Sequence, residues 1–345
     1  RFLLDNPELG VEAGSRLDEG RRHFETGLSI EQPLRFGGQG RARSEAAAAA
    51  LERVAIAREL RRVELRAEVR CAFARLLAAR EREAVHKEAA RLAEAALRAA
   101  EERYTAGRIP KTQRNGALVE SARAAAEAAQ AAVATERARA ELRALIGLPP
   151  DAPLEPEGTL AATATPLASE AEPEDGATGL QIEQARRARD EAAARQRLAD
   201  AEAWPELRIG AAWEREEGTD LFQGTLSIEL PLFERNEAAR TQARIERAHR
   251  DAALESAVRA LASEREQARA RLQAARAAVE AWQPEAVEAM EENLVLATEA
   301  FRDGDIGFAA WIALRREALA GRLAFIDALE ELALAQVVWD RAQGR

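Results

Sequence analysis

The sequence predicts a mainly α chain with a small β part, built twice over as long antiparallel helical hairpins, each preceded by a pair of strands. Three observations carry this. Leu28-Ser29-Ile30-Glu31-Gln32-Pro33-Leu34 recurs 198 residues later as Leu226-Ser227-Ile228-Glu229-Leu230-Pro231-Leu232. Short stretches of strict alternation open each copy, and an uninterrupted helical composition of roughly 67 residues, about 100 Å of helix, follows each. At the same offset Asn6-Pro7-Glu8-Leu9 becomes Trp204-Pro205-Glu206-Leu207, and one residue short of it the stretch around Gly107 meets the stretch around Gly304. Matches in near-constant register over so long a span are a duplication.

In the first copy, Leu9, Val11 and Ala13 alternate with Glu8, Gly10 and Glu12, and Phe24, Thr26, Leu28 and Ile30 alternate with Glu25, Gly27, Ser29 and Glu31. In the second, Leu207, Ile209, Ala211 and Trp213 alternate with small and polar residues, then Phe222, Leu226 and Ile228 with Gln223, Thr225, Ser227 and Glu229. A period of two reads as a strand with one apolar and one polar face. Polar, glycine-bearing linkers at 15–23 and 215–221 make each pair a hairpin, at 7–34 and 204–233. Pro33 and Pro231 are expected to end the strands.

Long helices follow at 40–106 and 236–303. Gly107 and Gly304 stop them as left-handed C-caps, with Pro110 reinforcing the first. Pro284 is expected to kink or break the second long helix. Return helices follow at 111–146 and 306–341, the latter with Leu319, Leu323, Ile326, Leu329, Ala333 and Val337 in one packing stripe. The first repeat thus covers 1–146 and the second 178–345, the latter opening with a helix at 178–203. Between them, 147–177 begins Gly147-Leu148-Pro149-Pro150 and reads as an irregular insertion or short equatorial element. A return helix of about 54 Å cannot match a 100 Å partner, but stacked end to end with a helix of about 39 Å it would. By the repeat, an equivalent of the 178–203 helix is expected ahead of Arg1, and a chain opening on Arg1 reads as processed or trimmed.

Composition removes several function classes. With 50 basic and 60 acidic residues the net charge is −10, which argues against bulk attraction to nucleic acid. Aromatics are only 4%, so Ala dominates the apolar share and favours closely packed helices. One cysteine excludes an internal disulfide framework. Cys71, His23, His86 and His249 are not spaced for shared ligation, so no metal site and no cofactor are expected. Cys71 reads as a small packing residue. No nucleophile–base spacing, phosphate loop or paired-carboxylate site emerges, so the chain is not read as an enzyme. No run of 18 apolar residues exists, so no transmembrane helix is predicted.

The strands demand more than a soluble fold. Four amphipathic strands cannot hide their own edges, so they are expected to close with copies of themselves. Two copies give 8 strands and a filled interior, whereas three give 12 and leave an aqueous lumen. Glu25, Glu31, Gln223 and Glu229 then line that lumen while the apolar face meets lipid. Phe24, Phe36, Trp204, Trp213, Phe222 and Phe233 sit at or near strand ends, where interfacial girdles are found.

Together, the Asn-Pro-Glu-Leu strand start, the Leu-Ser-Ile-Glu-x-Pro-Leu strand end, Arg103-Tyr104-x-x-Gly107, the Leu145-to-Pro149 ending and the duplication resemble the TolC-like outer-membrane factor family. The Asn-Pro-Glu-Leu opening and Gly37-Gly38-Gln39-Gly40-Arg41 are most similar to its CzcC-type heavy-metal members. The resemblance covers nearly the whole chain. It implies a homotrimer whose 12-stranded barrel crosses the bacterial outer membrane and whose helical barrel extends through the periplasm. Such proteins are passive exit ducts of tripartite efflux systems, docking by their helix turns on a periplasmic adaptor and an inner-membrane pump.

Carried over by position, the family's turn pattern falls on Arg103, Gly107 and Thr112. At the second turn Gly304 is kept, but Ala300 and Ala309 replace the flanking residues. Carboxylates that narrow the aperture in some members would fall on Ala310 and Ala313, leaving Asp303 and Asp305 as neighbouring candidates. The leading expectation is a duct for heavy-metal cations, against a duct for small organic molecules or type I secretion. From another class stands a soluble coiled-coil scaffold or periplasmic adaptor, which would lack the paired amphipathic hairpins.

Overall fold

The computed structural model describes residues 6–18, 21–34, 37–164, 179–216, 219–228, 230 and 233–344. Eleven elements follow one another: β1 (Glu8–Asp18), β2 (Arg21–Leu34), α1 (Gln39–Thr105), α2 (Lys111–Leu145), α3 (Leu160–Ala164), α4 (Leu180–Ala201), β3 (Leu207–Glu216), β4 (Thr219–Ile228), α5 (Glu237–Glu280), α6 (Pro284–Asp303) and α7 (Phe308–Ala342). The described residues divide into two compact units. One comprises 1–60 with 180–260, and the other 61–179 with 261–345.

In the first unit the strands form one antiparallel sheet in the order β1-β2-β3-β4, which leaves β1 and β4 at its edges. The strands run further than alternation suggested. Ladder pairs continue through the expected linkers to Asp18↔Arg21 and Glu216↔Thr219, so only two residues separate the partners in each hairpin. Backbone pairing does not need an amphipathic pattern, and the pattern fades toward the turns where polar residues take over both faces. Pro33 does not end its strand: it is paired with Arg208 one residue before the end of β2. Pro231 and Phe36 lie outside the described residues.

The helical part of this unit is held by small and polar contacts. Ala42, Ala46, Ala192, Ala194 and Ala199 are buried. Around them Arg43 pairs with Glu202 (3.2 Å), Arg187 with Glu52 (2.6 Å) and Arg240 with Asp200 (2.8 Å). Both strand-to-helix junctions are pinned near the end of α4. Gln39 Nε2 donates to the Trp204 carbonyl (3.0 Å) and Asn236 Nδ2 to the Ala199 carbonyl (3.2 Å).

The second unit carries the apolar core. Ala74, Leu77, Ala78 and Val85 of α1 pack with Leu272 of α5 and with Leu319, Ile326 and Leu329 of α7. The stretch after Gly147 is not wholly irregular, since α3 forms within it and places fully buried Leu160 in that core. α1 straps it down: Arg80 donates to the Pro156 carbonyl (3.0 Å) and Glu81 accepts from the Leu160 N–H (3.1 Å). The second long helix is interrupted rather than continuous from 236 to 303. α5 stops at Glu280, Gln283 is extended (φ −70°, ψ 142°), and Pro284 starts α6. Proline has no N–H to continue the ladder, and it pushes its predecessor out of the helical region.

Candidate functional site

Residues directly opposed across antiparallel strands share a face, so the register sorts the sheet. Glu8, Gly10, Glu12 and Gly14 oppose Glu31, Ser29, Gly27 and Glu25. Those of β2 oppose Gly210, Ala212 and Glu214, which in turn oppose Thr225, Gln223 and Leu221. This face is polar or small almost throughout. Gly27 lets two carboxylate side chains converge, with Glu214 Cγ and Glu12 Cβ 3.5 and 3.6 Å from where its own Cβ would stand. Among the described side chains, Glu8, Glu12, Glu25, Glu31 and Glu214 share this face with the single base Arg208.

The other face carries Leu9 and Val11, then Phe24, Leu28 and Ile30, then Ile209 and Trp213, then Phe222, Leu226 and Ile228. Val11 is 73% exposed, Phe222 77% and Leu226 72%. An apolar surface continuous over four strands is far too large to leave in water. Near the hairpin turns it becomes amphipathic: Trp213 donates its indole N–H to Asp220 (3.2 Å), and Arg215 lies 3.4 Å from the same carboxylate. Of the aromatics expected as a girdle, Phe24, Trp213 and Phe222 lie on this face. Trp204 and Phe233 precede and follow the strands.

The structure puts Glu25 and Glu31 on the polar face, half-buried, and Gln223 on the same face two strands away, exposed. Glu229 lies outside the described residues.

The second region is formed by the two helix turns. Gly107 (φ 69°) and Gly304 (φ 97°) both take left-handed backbone, which suits glycine. In both turns an N–H reaches back five residues, Arg108 to the Arg103 carbonyl (2.8 Å) and Asp305 to the Ala300 carbonyl (2.9 Å). Behind the second turn Phe301, Phe308 and Trp311 stack together, with Phe301 and Trp311 centroids 5.5 Å apart. Phe301 and Trp311 are fully buried. Trp311 donates to Thr298 Oγ1 (3.3 Å), which satisfies the indole. Gly116 of α2 admits the Phe308 ring, since a Cβ there would stand 2.5 Å from it.

Of the residues assigned to these turns, Arg103 and Gly304 come together. The Arg103 guanidinium donates to the Phe301 carbonyl (2.9 Å), lies over the Phe301 ring, and passes beside Gly304. Thr112 sits exposed in the first turn of α2, apart from that contact, and Asp303 and Asp305 are exposed in the second turn.

Sequence reasoning missed a buried ion pair behind the turns. Arg315 of α7 bonds Glu120 of α2, both almost wholly buried, and Arg316 approaches the same carboxylate at 3.6 Å. Burial pulls the Arg315 guanidinium below its ordinary range and the Glu120 charge opposes that. Among the described residues no cluster of three or more His, Cys, Asp or Glu could hold a metal ion, and no helix is long and apolar enough to cross a membrane.

Residues 5–148 match the sequence model of the family described as outer membrane efflux protein. The match covers less than half of the chain, which is similar to that family over this stretch. That family comprises outer membrane channels and not enzymes. No curated protein sequence matches this chain. Solved structures of the same fold include the outer membrane protein VceC of Vibrio cholerae, at 19% identity and a TM-score of 0.76 over 98% of this chain and 86% of that one. The CmeC outer membrane channel of Campylobacter jejuni is similar at 14% identity and 0.76, over 99% and 78%. The MtrE outer membrane channel of Neisseria gonorrhoeae, in its open state, is similar at 23% identity and 0.70, over 99% and 81%.

Proposed function

We propose that three copies of this chain close their sheets into one 12-stranded barrel and serve as the passive exit duct of a tripartite efflux system. The observation that carries this reading is the coherence of the two faces: one apolar surface continuous over four strands, one polar surface behind it, and two edge strands, β1 and β4. Closure pairs β4 of one copy with β1 of the next, turns the apolar face to lipid and encloses the polar face around water. The turns at Gly107 and Gly304, with Thr112 exposed beside them and Arg103 packed on Phe301, dock on a periplasmic adaptor, and through it on an inner-membrane pump.

A duct of this kind performs no bond chemistry. It supplies a continuous aqueous path, and its selectivity comes from the charge that lines it. Among the described side chains, five carboxylates against one arginine on the polar face favour cationic cargo, heavy-metal cations among them. Asp303 and Asp305 extend that preference to the helical end.

Extraction in mild detergent followed by mass determination and bilayer recording tests this. A trimer with discrete single-channel steps and a reversal potential favouring cations is the expected result. A monomer that is indifferent to detergent and conducts nothing would contradict the duct, and a trimer with anion-selective steps would contradict the cargo alone.

A further inference from the structure

We infer that Arg103 is not itself the surface that a docking partner reads: it is a positioning residue that caps the helix of the other hairpin and thereby shapes the second turn. The inference rests on the duplication and on the way the two turns are wound. At the spacing that matches the turns, Arg103 corresponds to Ala300, Tyr104 to Phe301 and Gly107 to Gly304. The chain closes the first turn with Gly107 N–H on the Tyr104 carbonyl (2.9 Å). In the second, Gly304 N–H reaches one residue further back, to the Ala300 carbonyl (3.1 Å), and the N–H groups of Asp305 and Ile306 converge on the same oxygen. The Phe301 carbonyl, whose counterpart is bonded within the first turn, is bonded in the second by the Arg103 guanidinium at 2.9 Å.

Three features make this contact a cap rather than an incidental bond. A carbonyl in the last turn of a helix lies at the negative end of its dipole, where a cation is favoured. The guanidinium also lies 5.4 Å from the centroid of the Phe301 ring, so the same residue supplies the carbonyl and the aromatic face. Finally, Phe301 is fully buried against Trp311, whereas its counterpart Tyr104 is 41% exposed. The second hairpin cannot return the contact, because Ala300 stands where the first has Arg103. The coupling therefore runs one way, from α1 to the end of α6. If the turns dock on a partner as proposed above, the exposed side chains of the first turn, Tyr104, Thr105, Arg108, Lys111 and Thr112, are the ones available to be read.

Hydrogen exchange on the full chain in detergent, without any partner, separates capping from contact. Arg103→Ala should raise amide exchange at residues 303–308 about tenfold or more, the scale of a lost hydrogen bond to a charged group. Arg103→Lys keeps a cation near the carbonyl and should fall between the variant and the parent. Exchange unchanged at 303–308 in Arg103→Ala would overturn the capping role, and so would a change confined to 100–108. Because no partner is present, either outcome leaves the duct reading to be judged separately by conductance. If Arg103→Ala does not assemble, the inference stands or falls on Arg103→Lys: raised exchange at 303–308 supports it, and parental exchange there overturns it.

Discussion

In the strand sheet Val11, Phe222 and Leu226 stand more than two-thirds exposed, whereas behind the second helix turn Phe301 and Trp311 are fully buried. Residues of the same chemistry receive opposite treatment within one chain. At the turns, apolar side chains leave water by packing on one another, and the buried guanidinium of Arg315 is met by Glu120. In the sheet they leave water only if something outside the chain covers them. The contrast teaches that burial has to be judged against the solvent each region meets: the proposed duct finishes the sheet toward lipid and the helical hairpins toward an aqueous compartment.

The contrast can be broken at several points, and the effects should differ in size. Glu120→Ala strands a buried guanidinium and should cost about 3–5 kcal/mol, read as a lowered midpoint of the helical circular dichroism signal on heating. A loss below about 1 kcal/mol would mean that water reaches Arg315 and that the region behind the turns is not dry.

On the sheet the same residue type should behave differently on the two faces. Leu226→Arg, on the apolar face, should cost roughly 2–4 kcal/mol in a denaturant titration of the bilayer-inserted protein, and Gln223→Arg on the polar face far less. Equal losses would erase the distinction between the faces.

Gly116→Ala pits two effects against each other. Alanine in a helix gains up to about 1 kcal/mol over glycine, but here its Cβ would meet the Phe308 ring at 2.5 Å. The ring is wedged against Phe301 and Trp311, so overpacking should win and destabilise by about 1–3 kcal/mol on thermal melting.

The smallest effect is one of pH. Hydrogen bonds from Lys87 and Thr135 hold the Glu83 carboxyl below its ordinary value of 4.5. A carboxylate lowered on folding contributes stability that is present above that ordinary value and is lost as pH falls through the folded one. Glu83→Gln should therefore melt slightly lower than the parent at neutral pH, and the gap should close on acidification below about pH 4.5. A gap that persists at low pH would assign the loss to packing.

The strand faces were legible in the sequence because a period of two fixes the side to which each side chain points, and register then aligns Leu28 with Trp213 and Trp213 with Phe222. The strand ends were not, because beyond Ser15 and Arg215 pairing continues on backbone bonds alone. Gly107 and Gly304 announced their turns through conformational freedom, and Pro284 its break through a missing donor. The destination of Arg103 was hidden. It depends on how the second turn is wound and on helices that meet although 198 residues separate the partners. Glu120 and Arg315 were equally opaque, since a charge within a helix-forming run reads as a solvated face until its packing is known. The mismatch between Arg103 and Ala300 at otherwise equivalent positions was the one available signal that the two turns differ.

The assignment of the two sheet faces is tested most directly by a nitroxide scan along β4 from Leu221 to Ile228, in a Cys71→Ser background, with the protein in liposomes. Relaxation by oxygen, which partitions into lipid, should peak at residues 222, 224, 226 and 228, and relaxation by a water-soluble nickel chelate at 221, 223, 225 and 227. Accessibility to the chelate without alternation along the strand would contradict the membrane barrel.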